Sequence, residues 1–230
     1  MSRMRKAKES VRAWLAAADW RTHLPALAEG GMTNIGPLMS LLLHDPLTMH
    51  KSAVALGATC QAIALREPEK ARNVVRRYMW HLSEESGNIG WGIPEAFAET
   101  LVASPLLAKE FQRILITYVI DLGKEDNYCD NDILRRSCYW ACGRVAQANA
   151  EATRSWGGWL AKGLSDGDFL CRGMAAWALS FMPADLMTVP LLTQLARDER
   201  GEVCTLFDGE ALYVRSPAQL AQETLTCWQC

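Results

Sequence analysis

Apolar positions along the chain recur with the three-and-four spacing of helical faces, and proline steps at Asp45-Pro46, Glu67-Pro68 and Ser104-Pro105 punctuate them. In residues 2–18, Val11, Trp14, Leu15 and Ala18 share one face, which predicts an amphipathic helix. Its start is cationic, through Arg3, Arg5, Lys6 and Lys8, and reads as a solvated capping helix. Asp19 is placed to cap a short second helix that stops before Gly30-Gly31. Asn34 is expected to cap a helix running to Leu43. His44-Asp45-Pro46 then turns the chain, and a partner helix runs over 47–65. Pro68 suits the first position of the next helix, which ends near Leu82. Beyond a glycine-rich turn, Pro94 sits in the first turn of another helix, and Ser104-Pro105 stops it and starts one over 106–122. The polar run 124–131 predicts a loop, with Asp130 or Asn131 capping a helix that carries 135–148. Helices over 151–164 and 168–182 follow, then a last one over 186–198.

The pattern changes after residue 200. β-formers flank Asp208-Gly209, a pair that predicts a hairpin with a type I′ turn. Ser216-Pro-Ala-Gln219 predicts a capping box with proline at the first helical position, opening a final helix that carries Leu220 and Leu225.

Four helical segments are alike. Residues 51–60, 94–101, 135–146 and 172–181 each pack small residues into an amphipathic helix. Their matched positions, Gly57, Glu99, Gly143 and Ser180, recur about every forty residues. That period predicts an all-α superhelix, a solenoid of about five helix pairs. Residues 1–33 serve as N-terminal capping helices, 34–200 as repeats, and 201–230 as a hairpin-plus-helix cap, all within a single domain.

Half the residues are hydrophobic and 22% are charged, which excludes a disordered chain. A net charge of −2 gives no global pull toward nucleic acid or anionic lipid. No secretory leader or membrane-spanning run is recognised, and Cys138 and Cys142 sit where a helix needs small buried residues. Reduced cysteines and a cytoplasmic location are therefore expected.

The segments Asp132-Ile-Leu-Arg-Arg-Ser-Cys-Tyr-Trp-Ala-Cys-Gly-Arg-Val-Ala146 and Asp168-Phe-Leu-Cys-Arg-Gly-Met-Ala-Ala-Trp-Ala-Leu179 resemble the second helix of HEAT-like repeats, of the short type found in phycobilin lyases. Residues 80–95, Trp-His-Leu-Ser-Glu-Glu-Ser-Gly-Asn-Ile-Gly-Trp-Gly-Ile-Pro-Glu, look like a signature of one family of prokaryotic HEAT-like proteins, and the Asp-Gly hairpin with its short helix fits that family's C-terminus. The resemblance covers about residues 34–227 and implies a fold. It carries no activity, because no position matches the bilin-binding or lyase residues.

The best candidate site is 84–99. Gly87, Gly90 and Gly92 loosen its backbone, Trp80 and Trp91 flank it, and His81 lies nearby. Glu84, Glu85, Glu95 and Glu99 supply carboxylates, the last two one helical turn apart. Such a set suits a cation, and equally suits a long turn whose glutamates favour a helix start. Cys227 and Cys230 have the spacing of a metal or redox pair, but no second pair completes a zinc site. His23, His44, His50 and His81 are scattered, and Asp130, Asp132, Asp166 and Asp168 read as helix caps. Arg135, Arg136, Arg144, Arg154 and Arg172 raise a DNA-gripping groove as a competing idea, which the net acidity disfavours.

The expected function is a non-catalytic scaffold or adaptor that binds a protein partner on a concave face. It has no metal, cofactor, membrane or nucleic-acid requirement. Second helices would line that face with Lys51, Glu95, Glu99, Arg136, Tyr139 and Trp177, and Glu84, Glu85 and Trp91 would add to the surface. The alternatives are an enzyme or a cofactor- or metal-binding protein using 84–99, or a HEAT-like DNA-binding protein.

Overall fold

The computed structural model describes residues 3–83, 90–123 and 126–229, with side chains from Lys8 onward. They are predominantly helical, with one two-stranded antiparallel sheet. They form two compact units, Met1–Gln112 and Arg113–Cys230. None of the described helices is long and apolar enough to cross a membrane.

The first unit holds α1 (Arg3–Ala16), α2 (Leu24–Glu29), α3 (Met32–Leu41), α4 (Pro46–Arg66), α5 (Pro68–Leu82) and α6 (Ile93–Ala103), and α7 (Pro105–Leu115) carries the division between the units. The long helix α4 is its centre, packing against α2, α3, α5 and α6. Asp45 caps α4, its carboxylate accepting from the Thr48 amide at 3.0 Å, and Pro46 takes the first position, where no amide is needed. In α5 the pattern is plain: Ala71, Val74, Val75 and Tyr78, spaced as one face, are buried. Its other face carries Arg72, whose fork grips Glu110 of α7 at 2.8 and 2.7 Å. That pair is exposed and screened by solvent, so the apolar face does most of the anchoring. Trp20, in a 3-10 turn Trp20–His23, is the largest fully buried side chain.

The second unit begins with a 3-10 turn, Ile116–Val119, followed by α8 (Asp132–Ala148), α9 (Ala150–Thr153), α10 (Gly157–Lys162), α11 (Phe169–Leu179) and α12 (Val189–Ala196). The hairpin β1 (Cys204–Phe207) and β2 (Leu212–Arg215) and the helix α13 (Pro217–Gln229) complete it. α11 is its centre, in contact with α8, α10 and α13. Asn131 caps α8 through the Leu134 amide, and Asp168 caps α11 through the Cys171 amide. The capping box at α13 forms in both directions. Ser216 Oγ accepts from the Gln219 amide at 3.1 Å, and Gln219 Oε1 accepts from the Ser216 amide at 2.8 Å.

The repeat-matched helices meet in pairs within each unit. A Cβ on Gly57 of α4 would run into the Glu99 carbonyl of α6. One on Gly143 of α8 would lie 2.5 Å from Trp177 Cζ3 of α11. Glycine at these positions lets two helix backbones approach closely.

Several element boundaries differ from the sequence expectations. Asn34 does not cap α3. Gly31, at φ 52°, stands before Met32, and Asn34 Nδ2 instead donates to the Leu27 carbonyl of α2 at 2.8 Å. Asp19 makes no cap to a backbone amide, and its carboxylate accepts from the Thr22 hydroxyl. The helix expected over 106–122 ends at Leu115, because Thr117 Oγ1 turns back to the Ile114 carbonyl and the Tyr118 carbonyl accepts the Cys129 amide. The helix expected over 151–164 is broken into α9, a 3-10 turn Arg154–Trp156, α10 starting at Gly157-Gly158, and a second 3-10 turn Gly163–Ser165. α11 and α12 are shorter than 168–182 and 186–198. The hairpin has a four-residue loop rather than a type I′ turn. Asp208 keeps negative φ, and its carboxylate accepts from the Glu210 and Ala211 amides at 2.8 Å, while Gly209 has φ 107°.

Candidate functional site

Of the expected 84–99 segment, residues 84–89, and with them Glu84, Glu85 and Gly87, lie outside the described residues. The rest builds the start of α6. The Gly90 carbonyl accepts the Ile93 amide, and Gly92 enters the helix at φ 71°, seated so that a Cβ would come within 2.8 Å of Leu42 Cβ. The two tryptophans diverge. Trp91 is half-buried, whereas Trp80 is 57% exposed and meets His81 edge-on at 5.1 Å. Glu95 and Glu99 are buried, at 4% and 6% exposure, and neither is without a partner. These carboxylates therefore serve the packed face of α6 and present little to solvent.

On α4, His50 is also buried, and burial lowers its imidazole to about 4, so it is neutral near pH 7. Nearby in the first unit, Tyr78 and Cys60 lie 3.8 Å apart across the α4–α5 contact. Burial raises the Cys60 thiol to about 11 and pushes the Tyr78 phenol well above its ordinary value, so neither ionises near pH 7. Lys51 is half-buried, its ammonium donating to the Leu15 carbonyl at 3.1 Å and lying over the Trp20 ring. It secures the C-terminus of α1.

In the second unit two arginines of α8 are tied to the turn before α11. Arg135 is buried and grips Asp166 with both fork nitrogens at 2.8 Å, adding bonds to Asp132 and to the carbonyls of Cys129 and Asp130. Arg136 grips Asp168 at 2.8 and 2.6 Å. Burial works against the Asp168 charge, yet the Arg136 fork and the Cys171 amide hold its carboxyl down at about 2. Tyr139 and Trp177, expected on a concave face, are buried instead. Tyr139 packs where a Cβ on Gly163 would lie 2.6 Å from its ring, and burial pushes its phenol far up. Trp177 stacks on Trp140 at 6.2 Å and meets Phe181 edge-on at 5.1 Å. The reason is that α8 and α11 face each other along the side that carries these rings.

A cleft that sequence reasoning missed opens beside α11 and α12. About 220 Å³ in volume, it is lined by Leu164, Leu191 and Leu195 together with Ser165, Arg172, Gln194 and Asp198. Arg172 Nε donates to the Asp166 carbonyl, which fixes the direction of its fork. Asp198 is held by Arg200, whose hydrogen bonds lower its carboxyl to about 2, and the Arg200 guanidinium lies 3.6 Å over the Phe169 ring. Leading into α12, Leu186 and Met187 are 85% and 84% exposed. They ride on a turn made by Asp185, which accepts from the Met187 amide and the Thr188 hydroxyl. The sequence signal was Asp185-x-x-Thr188, a turn before the helix; a helix drawn from 186 hid it.

Among the described residues no group of three or more His, Cys, Asp and Glu side chains is placed to hold a metal ion. Cys227 is exposed, and Cys230 lies outside the described residues. No family model matches the chain, and no curated protein matches it.

Proposed function

We propose that this chain is a HEAT-like helical-repeat protein that acts without catalysis, as a scaffold or adaptor, and that it binds a protein partner at the α11–α12 cleft of its second unit. The observation that carries the reading is the pair Leu186 and Met187. They are almost fully exposed at the head of a helix whose Leu191 and Leu195 line a cleft with an arginine in its wall. Burying one such side chain against a partner is worth about 1.5–3 kcal/mol, and adjacent exposed apolar groups mark contact surfaces. The Arg172 fork suits a carboxylate on the partner beside an apolar side chain. The pairwise packing of repeat-matched helices, through Gly57 in one unit and Gly143 in the other, supports the repeat reading.

The DNA-gripping alternative loses its best residues, since Arg135 and Arg136 already hold Asp166 and Asp168. Buried Glu95 and Glu99 weaken the reading of 84–99 as an open cation site.

The test is site-specific photo-crosslinking in the native host, with a benzophenone side chain in place of Met187 or, as control, of the similarly exposed Leu65. A discrete adduct from position 187, absent from position 65 and lost with Arg172→Glu, is the expected result. Equal crosslinking from both positions, or none from 187, overturns the proposal.

A further inference from the structure

Asp followed by Gly occurs twice in the sequence, at Asp166-Gly167 and Asp208-Gly209. In this dipeptide the aspartate side chain can close onto the next amide nitrogen, because glycine has no Cβ to block the approach. The fold places the two copies in opposite surroundings.

Asp166 is sequestered. Its side chain is 3% exposed, and both oxygens are taken. Arg135 Nε donates to Oδ2 and Arg135 Nη2 to Oδ1, each at 2.8 Å, and the Asp168 amide donates to Oδ1 at 2.9 Å. The Asp166 carbonyl also accepts from Arg172 Nε, so the main chain is pinned together with the carboxylate. Asp208, by contrast, is exposed in the loop that joins β1 to β2. The Glu210 and Ala211 amides both donate to its Oδ1 at 2.8 Å, and no hydrogen bond from the described residues reaches Oδ2. Two N–H groups aimed at one carboxyl oxygen stabilise the negative charge that builds there when the carboxyl carbon is attacked. The second oxygen stays in water, where it can take up protons and depart.

We propose that Asp208-Gly209 is a covalent modification site of the folded protein, at which the backbone isomerises to isoaspartate, and that the Arg135 fork protects Asp166-Gly167 from the same reaction. The Gly209 nitrogen attacks Asp208 Cγ. The N–Cγ bond forms and the Cγ–Oδ2 bond breaks; Oδ2 leaves as water, carrying the proton lost by the nitrogen and one from solvent. A five-membered succinimide ring remains. Water then opens the ring at the main-chain carbonyl. The chain now continues through Cβ and Cγ, and the former main-chain carbonyl becomes a free carboxylate. The water lost in the first step is regained in the second, so mass is unchanged and nothing is oxidised or reduced. The carboxyl that held the Glu210 and Ala211 amides becomes part of the main chain, which gains one carbon. The turn that closes the hairpin beside the Phe207–Leu212 pair is thereby lost.

The experiment ages the full-length folded protein at physiological temperature and near-neutral pH. Isoaspartate is then labelled with radioactive S-adenosylmethionine and an isoaspartyl methyltransferase, and the label is mapped to tryptic peptides. Peptide 201–215 should carry a several-fold excess of label over peptide 163–172. Ageing in urea, which removes the Arg135 grip, should bring the two peptides to similar label. Asp208→Glu cannot close the five-membered ring and should lose the label from its peptide, with circular dichroism reporting that the variant is folded. Equal label on the two peptides of the folded chain, or none on 201–215, overturns the proposal. An excess that persists unchanged in urea also overturns it, because the difference would then lie in the flanking sequence and not in the fold.

Discussion

At the residue scale, the second unit rests on charged groups that have left water together. Arg135 and Asp166 side chains are 5% and 3% exposed, and the arginine also satisfies two loop carbonyls. A buried pair of this kind adds little net stability over a well-packed apolar pair, but removing one partner strands the other charge. Asp166→Asn should therefore lower stability by about 3–5 kcal/mol, read from urea denaturation, while the double change Arg135→Met with Asp166→Leu should cost clearly less. Equal costs would mean that the loop, and not the charge, is what the pair secures. His50 sets a pH dependence of opposite origin. Its folded imidazole titrates near 4 against an unfolded value of 6.5, because burial disfavours the charged form. Above pH 6.5 neither state binds the proton, and stability is at its full value. As pH falls from 6.5 toward 4 the unfolded chain takes up a proton that the folded chain refuses. Stability should decline across that window by up to about 3 kcal/mol and then level off with respect to this group. Melting temperatures from pH 7.5 to 4.5 should fall more steeply for the native chain than for His50→Leu. Parallel curves would remove His50 as the cause.

At the element scale, caps and close approaches fix where helices begin and how near they lie. Asn131→Ala and Asp168→Ala each remove an N-cap worth about 1 kcal/mol. Asp168→Ala should cost more, because it also strips the partner from Arg136. Gly143→Ala places a methyl 2.5 Å from Trp177 and should destabilise by about 1–3 kcal/mol, with altered near-ultraviolet dichroism from the Trp140–Trp177 stack. An unchanged tryptophan signal would show that α8 and α11 have room to adjust. These elements also show what the sequence made legible. Asp45-Pro46 and the Ser216–Gln219 box are local chemistry, satisfied within one turn, Pro68 takes the first position of α5, and each starts a helix where expected. Asn34, Asp208 and the 106–122 helix misled because their polar atoms go to partners that spacing does not reveal: the Leu27 carbonyl, the loop's own amides, and the returning Cys129 amide. For the site, the lesson is sharper. The repeat pattern fixes which residues share a helix but not which face meets the neighbouring helix, so Tyr139 and Trp177, expected on a concave face, are buried.

At the scale of the whole molecule, each unit needs cover for its apolar faces, and in the second unit that cover comes from the last residues of the chain. α13 lies against both α11 and α12, burying Leu220, Ala221 and Thr224. The Thr224 hydroxyl donates to the Ala176 carbonyl at 2.8 Å, and Trp228 Nε1 donates to the Met182 carbonyl at 3.1 Å, so two backbone groups of the α11 region depend on it. The hairpin alone cannot substitute, since two four-residue strands with one outer face in solvent bury little area. Ending the chain after Arg215 would uncover the α11–α12 face and leave those carbonyls without their side-chain donors. The truncated protein should lose the cooperative unfolding transition of the second unit and self-associate, seen as a broadened melt and a concentration-dependent mass in light scattering. A monomeric chain with the native melting temperature would show that α13 is an appendage. In that case the exposed Leu186 and Met187, which immediately precede α12, would be better explained as part of a larger unpartnered apolar face than as a partner site of their own.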